Sequence, residues 1–334
     1  INSPSRLDNN WPLPHWRCRR PEHLMSTLYI GVMSGTSLDG IDAVLVDFAS
    51  GCNVLAHQTL PFSAALKQTL LDLNHAGVNE LHESALAANA LAKVYANAIH
   101  LLLDQQGLRP AAVRAVGVHG QTVRHQPGLH DGVGYTLQIN NPSLLAERTG
   151  IRVVADFRSR DIAASGQGAP LVPAFHQHVF AQAGHTVAVL NLGGISNLSV
   201  LTGLAVTGFD CGPGNVLLDH WCQQHTGLSF DRDGQWAASG QVIPALLNAL
   251  LAEPYLHAPA PKSTGCDLFN PLWLGQQLAH HPDAMPADVQ ATLCEYTAQA
   301  CALDVHRYAA SAPELIVCGG GALNPFLMQR LLFF

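Results

Sequence analysis

The sequence predicts an α/β protein made of two halves of like pattern with a cleft between them. Three observations carry this. Strand-like apolar runs alternate with longer helix-like runs from Leu28 onward. Each half opens on a strand, a glycine-rich turn and a second strand, first at YIGVM…AVLVDF and again near His185. Finally, 334 residues that are 48% hydrophobic and only 12% charged can fill two cores and are not the composition of a disordered chain. The charge balance is acidic, 17 Lys+Arg against 24 Asp+Glu for a net −7. With lysine only at Lys67, Lys93 and Lys262, no basic stripe exists for a phosphate backbone, which argues against nucleic acid as a partner.

Residues 1–24, rich in Pro, Asn and Arg and without periodicity, are expected to form a disordered extension. An N-terminal α/β domain is expected over 25–184 and a C-terminal one over 185–334. In the first, the hairpin YIGVM…AVLVDF leads into one long helical region from Ala64 to Gln106, apolar at Leu66, Leu70, Leu73, Leu86, Leu91, Val94 and Tyr95. A strand AVGVHG, a polar loop to Tyr135, a helix PSLLAERTG and a strand RVVADF follow. The second half reads as a hairpin VAVLNLGG…NLSVL, a strand VTGFD, helices at Asn215–Thr226, 242–252 and 288–310, a strand ELIVCGGG, and a last helix opening at Asn324 and Pro325. The apolar ending Leu331 to Phe334 predicts a C-terminal domain cut short. Eight cysteines without a Cys-x-x-Cys pair read as reduced thiols. The apolar stretch from Ser84 to Asp104 is broken by Asn89, Lys93, Asn97 and His100, and reads as too polar to span a bilayer. A cytoplasmic location is expected.

Four motifs carry chemistry. In the first hairpin turn, Gly35 and Gly40 let backbone amides approach an anion, while Ser34, Thr36 and Ser37 add hydroxyl donors. Asp39 and Asp42 are candidate Mg²⁺ ligands, directly or through water. The same residues also suit an ordinary Gly/Ser/Asp turn. Asn191, Gly193 and Gly194 repeat this chemistry in the second hairpin, so that two turns could grip the two ends of a polyphosphate.

In GFDCGPGN a strand delivers Asp210 to a Gly-Pro-Gly turn, and Asn215 is expected to cap the next helix. There a positive helix end would favour an ionised carboxylate able to act as general base, or simply one that caps the turn. Gly319, Gly320 and Gly321 would let a flat ring lie against the backbone ahead of Asn324. Lys262-Ser263-Thr264 lacks the glycines of a P-loop and reads as a cap or loop.

The order of these turns resembles the phosphate and adenosine motifs of the sugar kinase, Hsp70 and actin superfamily. More specifically, MSGTSLDGID, GVHGQTVRH, VVADFRSRDIAASGQGAPLVPAFH, LNLGGISNLS, GFDCGPGN, APKSTG and VCGGGALNP are similar to the anhydro-N-acetylmuramic acid kinase family. The resemblance implies two duplicated ribonuclease H-like domains of the actin/hexokinase-like ATPase fold. It also implies phosphorylation of 1,6-anhydro-N-acetylmuramic acid at O6 by ATP with Mg²⁺, water opening the anhydro ring, in a cytoplasmic homodimer that serves peptidoglycan recycling.

By that resemblance Asp210 activates the water, and Gly35, Thr36, Ser37, Leu38, Asp39, Gly40, Ile41 and Asp42 form the ATP loop, with Asn191, Gly193, Gly194, Gly319, Gly320, Gly321 and Asn324 completing the nucleotide site. Arg158 is the candidate cation for phosphate oxygens, or else a structural partner of Asp156 or Asp161. His119, Gln121, Thr122 and Asn215 are candidate contacts to the sugar. A non-catalytic ATP-binding clamp and an inactive fragment are the competing readings.

Overall fold

The computed structural model describes residues 26–35, 38, 40–203, 205–265 and 268–332. The expected N-terminal extension and Thr36, Ser37 and Asp39 lie outside the described residues.

The first lobe opens with β1 (Leu28–Ser34), β2 (Ile41–Asp47) and β3 (Asn53–Leu60), an antiparallel meander. The expected long helix is two, α1 (Ala64–Asp72) and α2 (Glu80–Gln106). The break is local chemistry: Asn74 Nδ2 binds the Leu70 and Leu71 carbonyls that would have continued the ladder, and Asn79 turns left-handed at φ 60° before α2 starts. Next come β4 (Ala115–Val118), β5 (Gln121–Pro127) and β6 (Gly134–Ile139), so the expected polar loop is largely a hairpin. Its polar strands pair with each other instead of joining the main sheet, which is why alternation did not reveal them. After α3 (Pro142–Thr149), a short β7 (Val153–Val154) completes a five-stranded sheet of order β3-β2-β1-β4-β7, with β1, β4 and β7 parallel.

Helix α2 lays Leu91, Tyr95, Ile99 and Leu102 over this sheet, against Ile30, Val32, Leu45 and Val116. By length and composition it could cross a membrane, contrary to the sequence reading of this stretch, but half of its most apolar window is buried in the protein. It is a core helix. Each of these fully buried aliphatic side chains contributes about 1.5–3 kcal/mol.

Two short helices, α4 (Ser159–Ala163) and α5 (Pro173–Phe180), lead to the second lobe. There β8 (Thr186–Leu192), β9 (Ile195–Thr202) and β10 (Ala205–Pro213) form a second meander. Helices α6 (Val216–Thr226), α7 (Gln235–Ser239), α8 (Pro244–Leu251), α9 (Pro254–His257), α10 (Pro271–Leu278) and α11 (Pro286–Tyr308) precede β11 (Leu315–Cys318) and α12 (Pro325–Leu331). The sheet order β10-β9-β8-β11, with β11 parallel to β8, repeats the β3-β2-β1-β4 part of the first sheet. The sequence duplication is therefore a duplication of topology, with four strands in the second sheet against five in the first.

Helix α11 runs through the second core and buries Leu293, Tyr296 and Cys301 with Leu190, Leu198 and Phe209. Helix α5 packs on β9 and β10 although it precedes the expected boundary at 184/185. His176 Nδ1 meets Ser199 Oγ at 2.9 Å, and Gly208 is required because a Cβ there would collide with Pro173.

Candidate active site

The turn after β1 is held from inside the first lobe. Leu38 and Ile41 are buried in its core, and Leu38 N–H donates to Gly35 O at 3.1 Å. Within the ATP loop that the resemblance assigned, these two side chains anchor the turn in the core. Ser34, expected as a phosphate donor, is buried and pairs with Tyr95 OH at 2.9 Å and Gly120 O at 3.3 Å. Burial pushes Tyr95 up to about 12, so it stays protonated beside Ser34.

Gln121, expected at the sugar, is buried; its Nε2 donates to Gly35 O at 3.1 Å, and its Oε1 meets no partner among the described residues. Asp42 is exposed and accepts at Oδ1 from Thr59 Oγ1 at 2.7 Å, with His57 Nε2 at 3.2 Å from the same oxygen. Gly40 lies so close to β3 that a Cβ would stand 2.6 Å from Leu60 O.

The second turn, the strand end and the triple glycine form one packed unit. Gly193 O and Gly194 O accept from the amides of Gly214, Asn215 and Val216 at 2.8–3.1 Å, which ties the second turn to the start of α6. Asn215 makes no side-chain cap, contrary to expectation; its Nδ2 donates to Leu192 O at 3.2 Å. Gly319, at φ +86°, has no room for a Cβ, which would stand 2.6 Å from Asn191 Oδ1 and 2.7 Å from Leu192 O. Gly321 is closed in by Leu192 and Asn215, with Gly320 beside Asn215. Asn324 caps α12 as predicted, accepting from Leu327 N–H at 3.0 Å.

Asp210 lies near the end of β10, opposite Asn197 of β9. β10 carries a bulge between Asp210 and Gly212, a device common beside active sites. The Asp210 side chain is buried, and its Oδ2 accepts from Thr264 N–H at 3.1 Å and Ser263 Oγ at 3.2 Å. Burial raises its pKa to about 6, against the pull of Thr264, Ser263, Arg158 and Lys262. The expected helix-end stabilisation is not among the influences on this carboxylate, and desolvation outweighs the hydrogen bonds and charges that are.

Lys262-Ser263-Thr264 is a loop, as expected, but one that grips Asp210. Sequence reasoning gave these residues no role, since nothing in local pattern places positions some fifty residues downstream against a strand end. Arg158 pairs with neither Asp156 nor Asp161; it donates to His119 Nε2 at 2.8 Å and Gly168 O at 2.6 Å, and its charge bears on Asp210. Asp161 binds Gly168 N–H at 2.7 Å and Asp156 caps Ser159.

His119 borders a cavity of about 290 Å³ lined also by Gln138, Asn140 and Asp156. Thr122 stands behind this wall, its Oγ1 accepting from Gln138 Nε2 at 3.2 Å. Asn140 has a buried amide whose Nδ2 and Oδ1 find no partner among the described residues. Hydrogen bonds thus join Gly35 to Gln121 and His119 to Arg158, the charge of Arg158 reaches Asp210, and the second turn packs against the triple glycine.

Two sheets of like strand order with glycine turns at their strand ends, and a buried aspartate on the second, define a duplicated two-lobed α/β protein. A family model described as anhydro-N-acetylmuramic acid kinase matches residues 27–333. Relatives described as anhydro-N-acetylmuramic acid kinase include one from Variovorax paradoxus, 63% identical over 91% of this chain and 83% of that one. Another, from Albidiferax ferrireducens, is 57% identical over 92% of this chain and 85% of that one.

The chain belongs to the anhydro-N-acetylmuramic acid kinase family, a family of phosphotransferases. These coverages do not support the shortened C-terminal domain expected from the sequence. Among solved structures, a ROK hexokinase from Thermus thermophilus gives a TM-score of 0.36 at 16% identity, covering 92% of this chain and 87% of that one. So low a score carries no weight beside the strand order.

Proposed function

We propose that the chain transfers the γ-phosphoryl group of ATP to O6 of 1,6-anhydro-N-acetylmuramic acid while water opens the anhydro bridge, as a cytoplasmic homodimeric enzyme of peptidoglycan recycling. The observation that carries the mechanism is the buried Asp210, fixed through Oδ2 and faced by the charge of Arg158. Water attacks C1 and gives a proton to Asp210; the C1–O6 bond breaks, and O6 takes the phosphoryl group as ADP leaves. A carboxylate with a pKa near 6 is ionised at neutral pH and still basic enough for this work.

Arg158 supplies positive charge where phosphate charge builds up, and the glycine turns bring backbone close to the nucleotide. The cavity beside His119 supports a sugar subsite, its unpartnered Asn140 amide suited to an acetamido or hydroxyl group. Kinases of this kind work on magnesium nucleotide, in which the ion screens the phosphates. Among the described residues no group of three His, Cys, Asp or Glu could hold a metal, and Asp39 lies outside them, so no residue is assigned to the ion.

A coupled assay of ADP release tests the proposal. Release should depend on the anhydro sugar and yield a 6-phosphorylated, ring-opened product. Sugar-independent ATP hydrolysis would point instead to an ATP-driven clamp.

A further inference from the structure

We propose that Ser263 is a positioning residue for the reaction, which together with the Thr264 amide holds Asp210 by one carboxylate oxygen and leaves the other to take the proton. The proposal rests on the reading of Asp210 as base.

β10 is the edge strand of the second sheet, so the backbone of Asp210 has groups with no strand to meet. The loop through residues 262–264 supplies one partner: Lys262 O accepts from Asp210 N–H at 3.0 Å. Tyr255 supplies the other, its OH donating to Asp210 O at 2.8 Å. The loop is itself nailed down, because the buried Lys262 Nζ lies 2.9 Å from Asp304 Oδ2, donates to Leu256 O at 3.1 Å and sits 5.1 Å from the centre of the Tyr255 ring.

Asp210 is thus held at its amide, its carbonyl and its side chain. Both hydrogen bonds described for the carboxylate fall on Oδ2, from Ser263 Oγ at 3.2 Å and Thr264 N–H at 3.1 Å. Two donors on one oxygen fix the plane of the carboxylate and favour its charged form, and of the two only the Ser263 hydroxyl can be removed without touching the backbone.

The charged and titratable groups around Asp210 are known. Arg158 faces it from the loop before α4 and Lys262 from the holding loop. Behind it Cys211, Cys301 and Asp304 form a buried set with Lys262, and His119 lies beyond Arg158. Ser263 carries no charge, so its removal leaves this field as it is and changes only the direct bond.

The test is the pH dependence of kcat/KM for the anhydro sugar in the full chain, for Ser263→Ala, Ser263→Thr and Asp210→Asn, with thermal unfolding of each. Ser263→Ala should melt with the wild type, keep its KM, lose kcat about tenfold, and move the acid limb up by about one pH unit, a tenfold change in the protonation equilibrium. Ser263→Thr, which keeps the hydroxyl, should restore both. If Ser263→Ala does not fold, Ser263→Cys, with similar bulk and a weaker donor, should give the same upward movement. An unmoved limb overturns the positioning role, as does a Ser263→Thr protein as impaired as Ser263→Ala. Wild-type turnover by Asp210→Asn would instead overturn the base assignment. An inactive Asp210→Asn together with an unmoved limb in Ser263→Ala rejects the positioning role alone.

Discussion

Arg158 Nε donates to His119 Nε2 at 2.8 Å, and His119 Nδ1 donates to Gly120 O at 2.7 Å. The two contacts fix the neutral Nδ1–H tautomer of His119, since Nε2 must accept. Arg158 is therefore held by an imidazole and by the Gly168 carbonyl, neither of which cancels its charge. A carboxylate in the same place would have neutralised the cation facing Asp210.

His119 should stay neutral through physiological pH. Burial, and then the charge of Arg158, lower its pKa to about 4 from 6.5. Because the unfolded chain binds this proton more readily, the stability contribution is complete above pH 6.5 and is lost as pH falls towards 4. Imidazole ¹⁵N shifts should show one Nδ1–H tautomer from pH 6 upward, and unfolding of His119→Gln should depend less on pH in that window.

Arg158→Met should lower kcat about a hundredfold, the scale of losing one charge-stabilising donor in a transition state. It should also raise the acid limb of the rate profile, because the charge of Arg158 lowers the pKa of Asp210. An unchanged limb in steady-state assays would separate Arg158 from Asp210.

Asp210→Asn should abolish turnover, by about 10²–10⁴-fold, and yet stabilise the protein at alkaline pH. The folded-state pKa of about 6 lies above the ordinary 3.8, so the wild-type carboxyl favours folding fully below pH 3.8 and loses that contribution as pH rises through 6. Melting temperatures of variant and wild type should diverge above pH 6 and converge at lower pH.

Lys262→Met should destabilise by about 3–5 kcal/mol, because it leaves Asp304 charged and unpaired in the core. The double change with Asp304→Leu should recover much of the loss in denaturant unfolding. If the single variant is as stable as the wild type, Lys262 does not anchor the loop.

Gly319→Ala places a side chain at φ +86° against Asn191 and Leu192, a strain of about 1–3 kcal/mol. Nucleotide affinity by calorimetry should fall together with the melting temperature, because the triple glycine and the second turn share that contact.

Much of the architecture was legible because it is local. The two glycine hairpins, the helix at PSLLAERTG and the Asn324 cap with Pro325 each follow from turn residues and apolar period within a dozen positions. The errors fell where a local signal had a distant rival. Asn215 has good capping chemistry, but its side-chain amide turns to the Leu192 carbonyl instead. For Gln121, which follows a strand end and suits a ligand, local pattern did not show that its Nε2 would meet the Gly35 carbonyl 86 positions away. Seven residues of turn between α1 and α2 were absorbed into one helix because leucines on either side kept the period.

The sequence by itself determined the duplicated α/β order, the glycine turns and the strand that carries Asp210, because backbone geometry and apolar period are written in neighbouring residues. Only the tertiary structure decided what surrounds that carboxylate. Ser263 and Thr264 on its oxygen, Lys262 behind its backbone and the His119-held Arg158 come from segments far apart in the chain. Desolvation, which sets whether the group is an acid or a base, depends on everything packed around it, and no run of adjacent residues encodes that sum.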